Sequence, residues 1–352
     1  MNVKALICML MLVLPALPAH PQGFAGLGQD AQGFALPAPR ALIFPADHGA
    51  HDDFRIEWWY LTATLTGPDG TPYGAQWTLF RTALAPGEAA GWSSPQLWMG
   101  HAAVTTPKTH LVAETLARGG IGQAGVTADP FAAWIDDWQM VGRAAAGQDV
   151  LSALDLTAEG ADFSFALALD ATGPLVPQGD GGYSVKSAAG QASMYYSQPF
   201  YTVAGNITVK GAEIPVTGQA WLDREWSSQP LAADQTGWDW FSLMFDDGAR
   251  LMGFRLRDGG AGFTSGTWIA PDGAPVPLPP GALTVTPLET TVAGGRVLPT
   301  TWRVELPSRV LDVTVRAMNP QAWMDTLVPY WEGPISIAGT HAGRGYLEMT
   351  GY

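Results

Sequence analysis

Apolar and polar residues alternate along much of this chain with a period of two. Phe163, Phe165, Leu167 and Leu169 are interleaved with Ser164, Ala166 and Ala168. Met252, Phe254 and Leu256 alternate with Gly253, Arg255 and Arg257, and Trp302, Val304 and Leu306 with Arg303 and Glu305. That period predicts strands with one face turned to a core. Between them sit Asp69-Gly70, Asp247-Gly248 and Asp272-Gly273, dipeptides that tolerate the positive φ of tight hairpins. Helical periodicity is almost absent; only Pro320 to Leu327, after Asn319, is expected to form one or two helical turns. The pattern predicts an antiparallel all-β protein built as barrels or sandwiches.

Composition sharpens this picture. The 352 residues are 47% hydrophobic, enough for two packed domains. The 42 Gly and 28 Pro together approach a fifth of the chain, which favours short elements and tight turns. A formal charge of −14 argues against a nucleic-acid partner, which needs a basic footprint. The first residues read as a signal peptide over 1–25, with Lys4 as the n-region and Ala5 to Leu14 as an apolar segment too short to span a bilayer. The single Cys8 lies inside it, so a mature chain would have no disulfide and no remaining transmembrane span. A periplasmic or secreted location is expected, with an uncleaved short membrane anchor as the alternative. Residues about 20 to 40 read as a Gly/Ala/Pro/Gln-rich leader.

The stretch from Gln219 to Phe241 is the richest in chemistry. It sets Trp221, Trp226, Trp238 and Trp240 around Asp223, Arg224 and Glu225. In a strand, Trp221, Asp223 and Glu225 share one face, and Leu222, Arg224 and Trp226 the other. Two carboxylates roughly 6 to 7 Å apart then crowd an indole. Desolvation and like-charge repulsion would raise the pKa of one of them. The alternative is a structural ion network with Arg224, Arg55 or Arg81. Upstream, Glu57, Trp58, Trp59 and Tyr60 offer a second aromatic and acidic run, and His101 is the histidine best placed to face a cavity.

Three motifs, in order, carry a resemblance: His51 to Tyr60 with its Glu-Trp-Trp-Tyr, Gly218 to Phe241, and Tyr330 to Gly333 followed by Gly343 to Tyr352. Together they resemble the secreted lipocalin-like family of AttH proteins and carotenoid 1,2-hydratases (CrtC), over about residues 40 to 352. The resemblance implies two consecutive lipocalin-like β-barrel domains, 40–228 (CrtC-type) and 229–352. In the hydratases, water adds to a terminal alkene of an acyclic carotenoid without a cofactor, and the proposed acid lies in a G-x-x-aromatic-x-Asp motif. Gly218 to Asp223 matches it, so Asp223 inherits the acid role, with Trp221 at the aromatic position and Glu225 beside it. The following Arg224-Glu225-Trp226-Ser227 is the form of the family's secreted branch, where hydratases carry Asn and Gly. The upstream His and Trp of the hydratases correspond to Met194 to Ser197, which supplies Tyr196.

Two functions are therefore expected to compete. One is an extracytoplasmic protein that binds a carotenoid, isoprenoid or lipid, in line with an envelope transport partner. The other is a hydratase acting through Asp223. Ligand contacts are expected from Glu57, Trp59, Tyr60, His101, Tyr196, Trp226, Trp238 and Trp240. Tyr346, Glu348 and Tyr352 are expected to close the second barrel. No G-x-S-x-G elbow, His-Glu-x-x-His, phosphate-cradling loop or cofactor signature is present, and His48-x-x-His51 reads as a polar loop without metal-site character.

Overall fold

A computed structural model describes residues 31–352; the expected signal peptide and Cys8 lie outside them. Among the described residues, thirteen strands between Ile56 and Ser227 form one antiparallel sheet, and ten between Gly237 and Thr350 form another. Both curl into barrel-like shells with lipocalin-like character. No described helix is long and apolar enough to cross a membrane.

The first sheet runs from His110–Arg118 through Gln96–Thr105, Pro72–Ala83, Ile56–Thr66, Ala212–Ser227 and Ala192–Val209 to the short strands ending at Ala124–Ala128. Its two ends approach each other. A Cβ on Gly100 would lie 2.7 Å from Ile135 and 3.2 Å from Trp138, on the far side of the shell. Trp59, Leu61, Ala63, Trp77 and Leu79 fill its interior. Phe241, Leu243, Trp302, Trp331 and Leu347 fill that of the second sheet.

A third apolar layer lies between the two shells, on their outer faces. It contains Tyr60, Tyr195, Trp221, Trp240, Phe254 and Leu256. The strand Ile56–Thr66 is thus covered on both sides, which is why Glu-Trp-Trp-Tyr shows no clean alternation of apolar and polar residues. Strand parity still decides where each side chain goes.

Inside the first shell Glu57 is fully buried between Arg81 and Arg224. Burial alone would push its carboxyl up, but the Arg224 and Arg81 guanidinium charges hold it well below the usual carboxylate range. The Arg224 guanidinium also lies 3.8 Å from the centre of the Trp59 ring. The second shell repeats the device, with Arg255 and Arg257 on the buried Asp239, at 2.8 and 2.6 Å.

Two sequence expectations differ from the fold. Pro320 to Leu327 forms no helical turn. Trp323–Met324 instead pairs as a short strand with Tyr330–Gly339. Local helix propensity loses there to fixed contacts: Asn319 Oδ1 accepts from Gln321 N, its Nδ2 donates to Thr106 O, and Trp331 Nε1 donates to Pro320 O. His48-x-x-His51 is not a polar loop either. His48 is fully buried and its Nδ1 lies 2.6 Å from the Tyr196 hydroxyl.

The motif glycines mark close approaches of backbone. A Cβ on Gly218 would stand 2.0 Å from Thr64 O, and one on Gly345 1.9 Å from Ser242 O. Gly218→Ala should therefore destabilise the fold by about 1–3 kcal/mol, read as a lower urea midpoint at unchanged slope. Glu57→Gln should cost about 3–5 kcal/mol, because two buried guanidinium groups lose their counter-charge. The depressed Glu57 pKa contributes stability above its unfolded value, and that contribution is lost as pH falls toward the folded one.

Candidate active site

Strand register assembles the site. On the first sheet Asp223 stands between Tyr60 on one neighbour and Ser197 on the other, while Glu225 stands between Trp58 and Tyr195. On the second sheet Glu348 stands between Trp240 and Glu332. All these side chains point out of their own shells and toward the other sheet. Between them lies a cavity of about 500 Å³. Its wall is largely indole, phenyl and aliphatic: Trp58, Trp238, Trp240, Phe80, Phe254 and Leu256.

Few polar groups interrupt that wall, and they are tightly held. Ser197 Oγ and Trp221 Nε1 donate to Asp223 Oδ1 at 2.5 and 2.7 Å. Both bonds favour the carboxylate, yet desolvation outweighs them and pushes Asp223 up to about 7. Glu348 is pushed up to about 7 as well, first by burial and then by the Asp223 and Glu225 charges, against the Trp238 Nε1–H that it accepts. Glu332, wholly buried, is raised well above the ordinary range by desolvation and by Glu348. It accepts from the Tyr60 hydroxyl at 2.6 Å. Glu225 differs: Lys186 Nζ lies 2.9 Å from it, against the rings of Tyr195 and Phe254. The cavity wall thus carries two carboxyls, Asp223 and Glu348, that burial pushes up to about 7, beside the Lys186–Glu225 pair.

The residues singled out in the sequence divide between two faces. Asp223, Glu225, Tyr60, His101, Trp238 and Trp240 line the cavity, and Trp221 stands behind Asp223. Glu57, Trp59, Tyr196 and Trp226 do not line it; their parity turns them into the first shell. There Trp59 Nε1 donates to His48 O at 2.9 Å, and Trp226 stacks on His51 at 4.0 Å. The ion network weighed for Asp223 and Glu225 with Arg224, Arg55 or Arg81 takes another form, since Arg224 and Arg81 serve Glu57 while Glu225 takes Lys186.

Lys186 and Tyr195 at the cavity wall, and Ser197 and Glu332 behind it, were not singled out in the sequence, and Glu348 was read there chiefly as closing the second barrel. Glu348 had a usable signal: it shares parity with Tyr346 and Thr350 in the terminal motif, opposite Trp240 in the preceding one. Lys186 had none.

Comparison with known proteins fits this arrangement. Residues 35–352 match the AttH-like family. The chain belongs to that family. A putative AttH from Nitrosomonas europaea is 34% identical, with a TM-score of 0.79 over 90% of this chain and 99% of its own. Kievitone hydratase from Nectria haematococca shares the fold at 16% identity and a TM-score of 0.65, covering 90% of this chain and 98% of its own. CghA, solved with Sch210972, shares it at 14% identity and 0.54, covering 92% and 97%. No curated protein matches the chain.

A carboxyl whose folded pKa exceeds its unfolded value gives stability that is fully present below the unfolded value and lost as pH rises through the folded one. For Asp223 that window runs from about 3.8 to about 7. Asp223→Asn and Glu348→Gln should each leave the AttH-like fold more stable than wild type at pH above that window, on the order of 2–4 kcal/mol. Urea unfolding across pH checks this.

Proposed function

We propose that this AttH-like protein takes a single hydrophobic molecule, of lipid or isoprenoid type, into the cavity between its sheets and protonates a carbon–carbon double bond of it with Asp223. The observation that carries the reading is the wholly buried Asp223 carboxyl, pushed up to about 7 by desolvation, at the wall of an apolar, indole-rich cavity of ligand size. Holding such acids buried costs folding stability, and raised carboxyls clustered at a cavity mark it as a functional candidate.

The reaction this supports is hydration. The Asp223 O–H proton passes to one alkene carbon as the π bond breaks, which leaves a cation on the more substituted carbon. The π faces of Trp58, Trp238 and Trp240 stabilise that cation. Water then forms the C–O bond, and its surplus proton returns to the Asp223 carboxylate. The likeness to kievitone hydratase supports the reading at the level of fold alone. The Lys4 n-region and apolar Ala5 to Leu14 support an extracytoplasmic location.

Native purification followed by lipid extraction and mass spectrometry should recover an apolar molecule. Incubation with lycopene, as an acyclic isoprenoid probe, should give a product heavier by one water. Asp223→Asn should lower that turnover by about 10²-fold or more while the probe still quenches tryptophan emission. Turnover should fall as pH rises through about 7, as the acid loses its proton. Unchanged turnover in Asp223→Asn overturns the acid role. Probe binding without product reduces the function to ligand carriage.

A further inference from the structure

The outer face of the first sheet carries one apolar row that starts inside the cavity and ends outside it. Register sets Trp58 opposite Phe80, Phe80 opposite Met99, and Met99 opposite Leu116, on four neighbouring strands and with one parity. Trp58, Phe80 and Met99 line the cavity, whereas Leu116 lies beyond its lining and is 54% exposed. At about 4.8 Å per strand the row runs roughly 14 Å from the indole to the leucine. On the other side of Trp58 the row is polar: Glu225 stands opposite Trp58 and Tyr195 opposite Glu225, with Lys186 on the carboxylate. The apolar end is the open one, since Leu84, which lines the cavity, is 63% exposed. Exposed apolar side chains border the row on both sides where it leaves the cavity. Leu97 lies two positions before Met99 on the same face. Opposite it, the Leu327 N–H donates to Glu114, two positions before Leu116, which brings the exposed Leu327 and the cavity-lining Val328 alongside. These residues form a track continuous with the cavity, unlike leucines scattered singly over a surface.

We propose that this row is a tail groove: the molecule held in the cavity is a linear chain longer than the cavity, and its trailing hydrocarbon lies over Met99 and Leu116, between Leu97 and Leu327. The inference rests on the reading that the cavity takes a hydrophobic molecule, and adds which end of it goes where. A hydrocarbon tail gains by covering the exposed Leu116 and its neighbours. Placed at the other end of the row, it would lie against the Lys186–Glu225 pair, where it offers no hydrogen bond. The chain therefore enters lengthwise, with its leading end beside Glu225 and Asp223 and its tail left at the mouth. The width of the track selects the occupant. On its own strand and face Leu116 is flanked by Glu114 and Arg118, so the apolar surface there is one residue wide. That suits a single hydrocarbon chain and is too narrow for a protein helix or a bilayer. Leu116 thus reads the length of the chain from a position away from the reacting atoms.

The test compares geraniol with its chain-doubled homologue geranylgeraniol, each titrated into the protein and read by quenching of tryptophan emission. Wild type should bind the longer probe more tightly by about tenfold or more. Leu116→Asp should weaken geranylgeraniol by about tenfold and leave geraniol within about twofold of wild type. Leu116→Phe, which keeps an apolar surface, should retain the preference for length. Leu116 is already exposed, so neither substitution removes core packing, and geraniol binding reports that the variant is folded. Leu288→Asp, at an exposed leucine on the second sheet, should leave both probes unchanged. Equal losses for the two probes in Leu116→Asp, or an undiminished preference for the longer one, overturn the groove. So does an effect of Leu288→Asp as large as that of Leu116→Asp. Either result leaves the Asp223 turnover assay standing, whereas wild-type protein that binds neither probe overturns the cavity reading and the groove with it.

Discussion

Everything in this molecule depends on the two-residue period of a strand that is buried on both faces. Asp223, Arg224 and Glu225 are consecutive, yet they serve different compartments. The arginine turns inward to Glu57, and the two acids turn outward to the opposing sheet. The same rule acts on Ile56–Thr66, where Glu57 and Trp59 belong to a shell while Trp58 and Tyr60 belong to the layer outside it. It acts again on Trp238, Asp239 and Trp240. A slip of one residue in Ile56–Thr66 or Gly237–Phe245 would carry a doubly paired carboxylate out of its shell and into the apolar layer.

The chain treats buried carboxyls in two opposite ways. Glu57 and Asp239 each receive two guanidinium groups and lie buried inside the shells in paired networks. Asp223, Glu332 and Glu348 receive neutral donors only: hydroxyls and indole N–H groups. Neutral donors are weaker than guanidinium charges against the cost of removing a carboxylate from water. Burial therefore raises the carboxyls of the second set, while the Arg81 and Arg224 guanidinium charges hold Glu57 of the first set low.

Much of this was legible in the sequence, and the missing parts have identifiable causes. Alternation in Phe163 to Leu169 and in Trp302 to Leu306 revealed strands directly. The parity of Trp221, Asp223 and Glu225 placed them on one face without any coordinates. Glu57, Trp59, Tyr196 and Trp226 were grouped with the ligand contacts because a strand covered on both faces shows aromatics on each, and composition cannot say which side is a core. Lys186 and Glu332 were invisible for another reason: their partners, Glu225 and Tyr60, lie 39 and 272 positions away and meet them only through pairing and sheet packing. The helix expected after Asn319 failed because its backbone groups found fixed partners elsewhere.

Because the cavity is walled by the outer surfaces of both shells, its dimensions are set by how the shells sit together rather than by how either is filled. Substitutions at Phe254, Leu256 or Trp58 reshape the space available to a guest while leaving Trp77, Trp302 and Trp331 in their packing. The seam is therefore packed by a hydrophobic layer of its own, separate from the clusters that fill the two barrels.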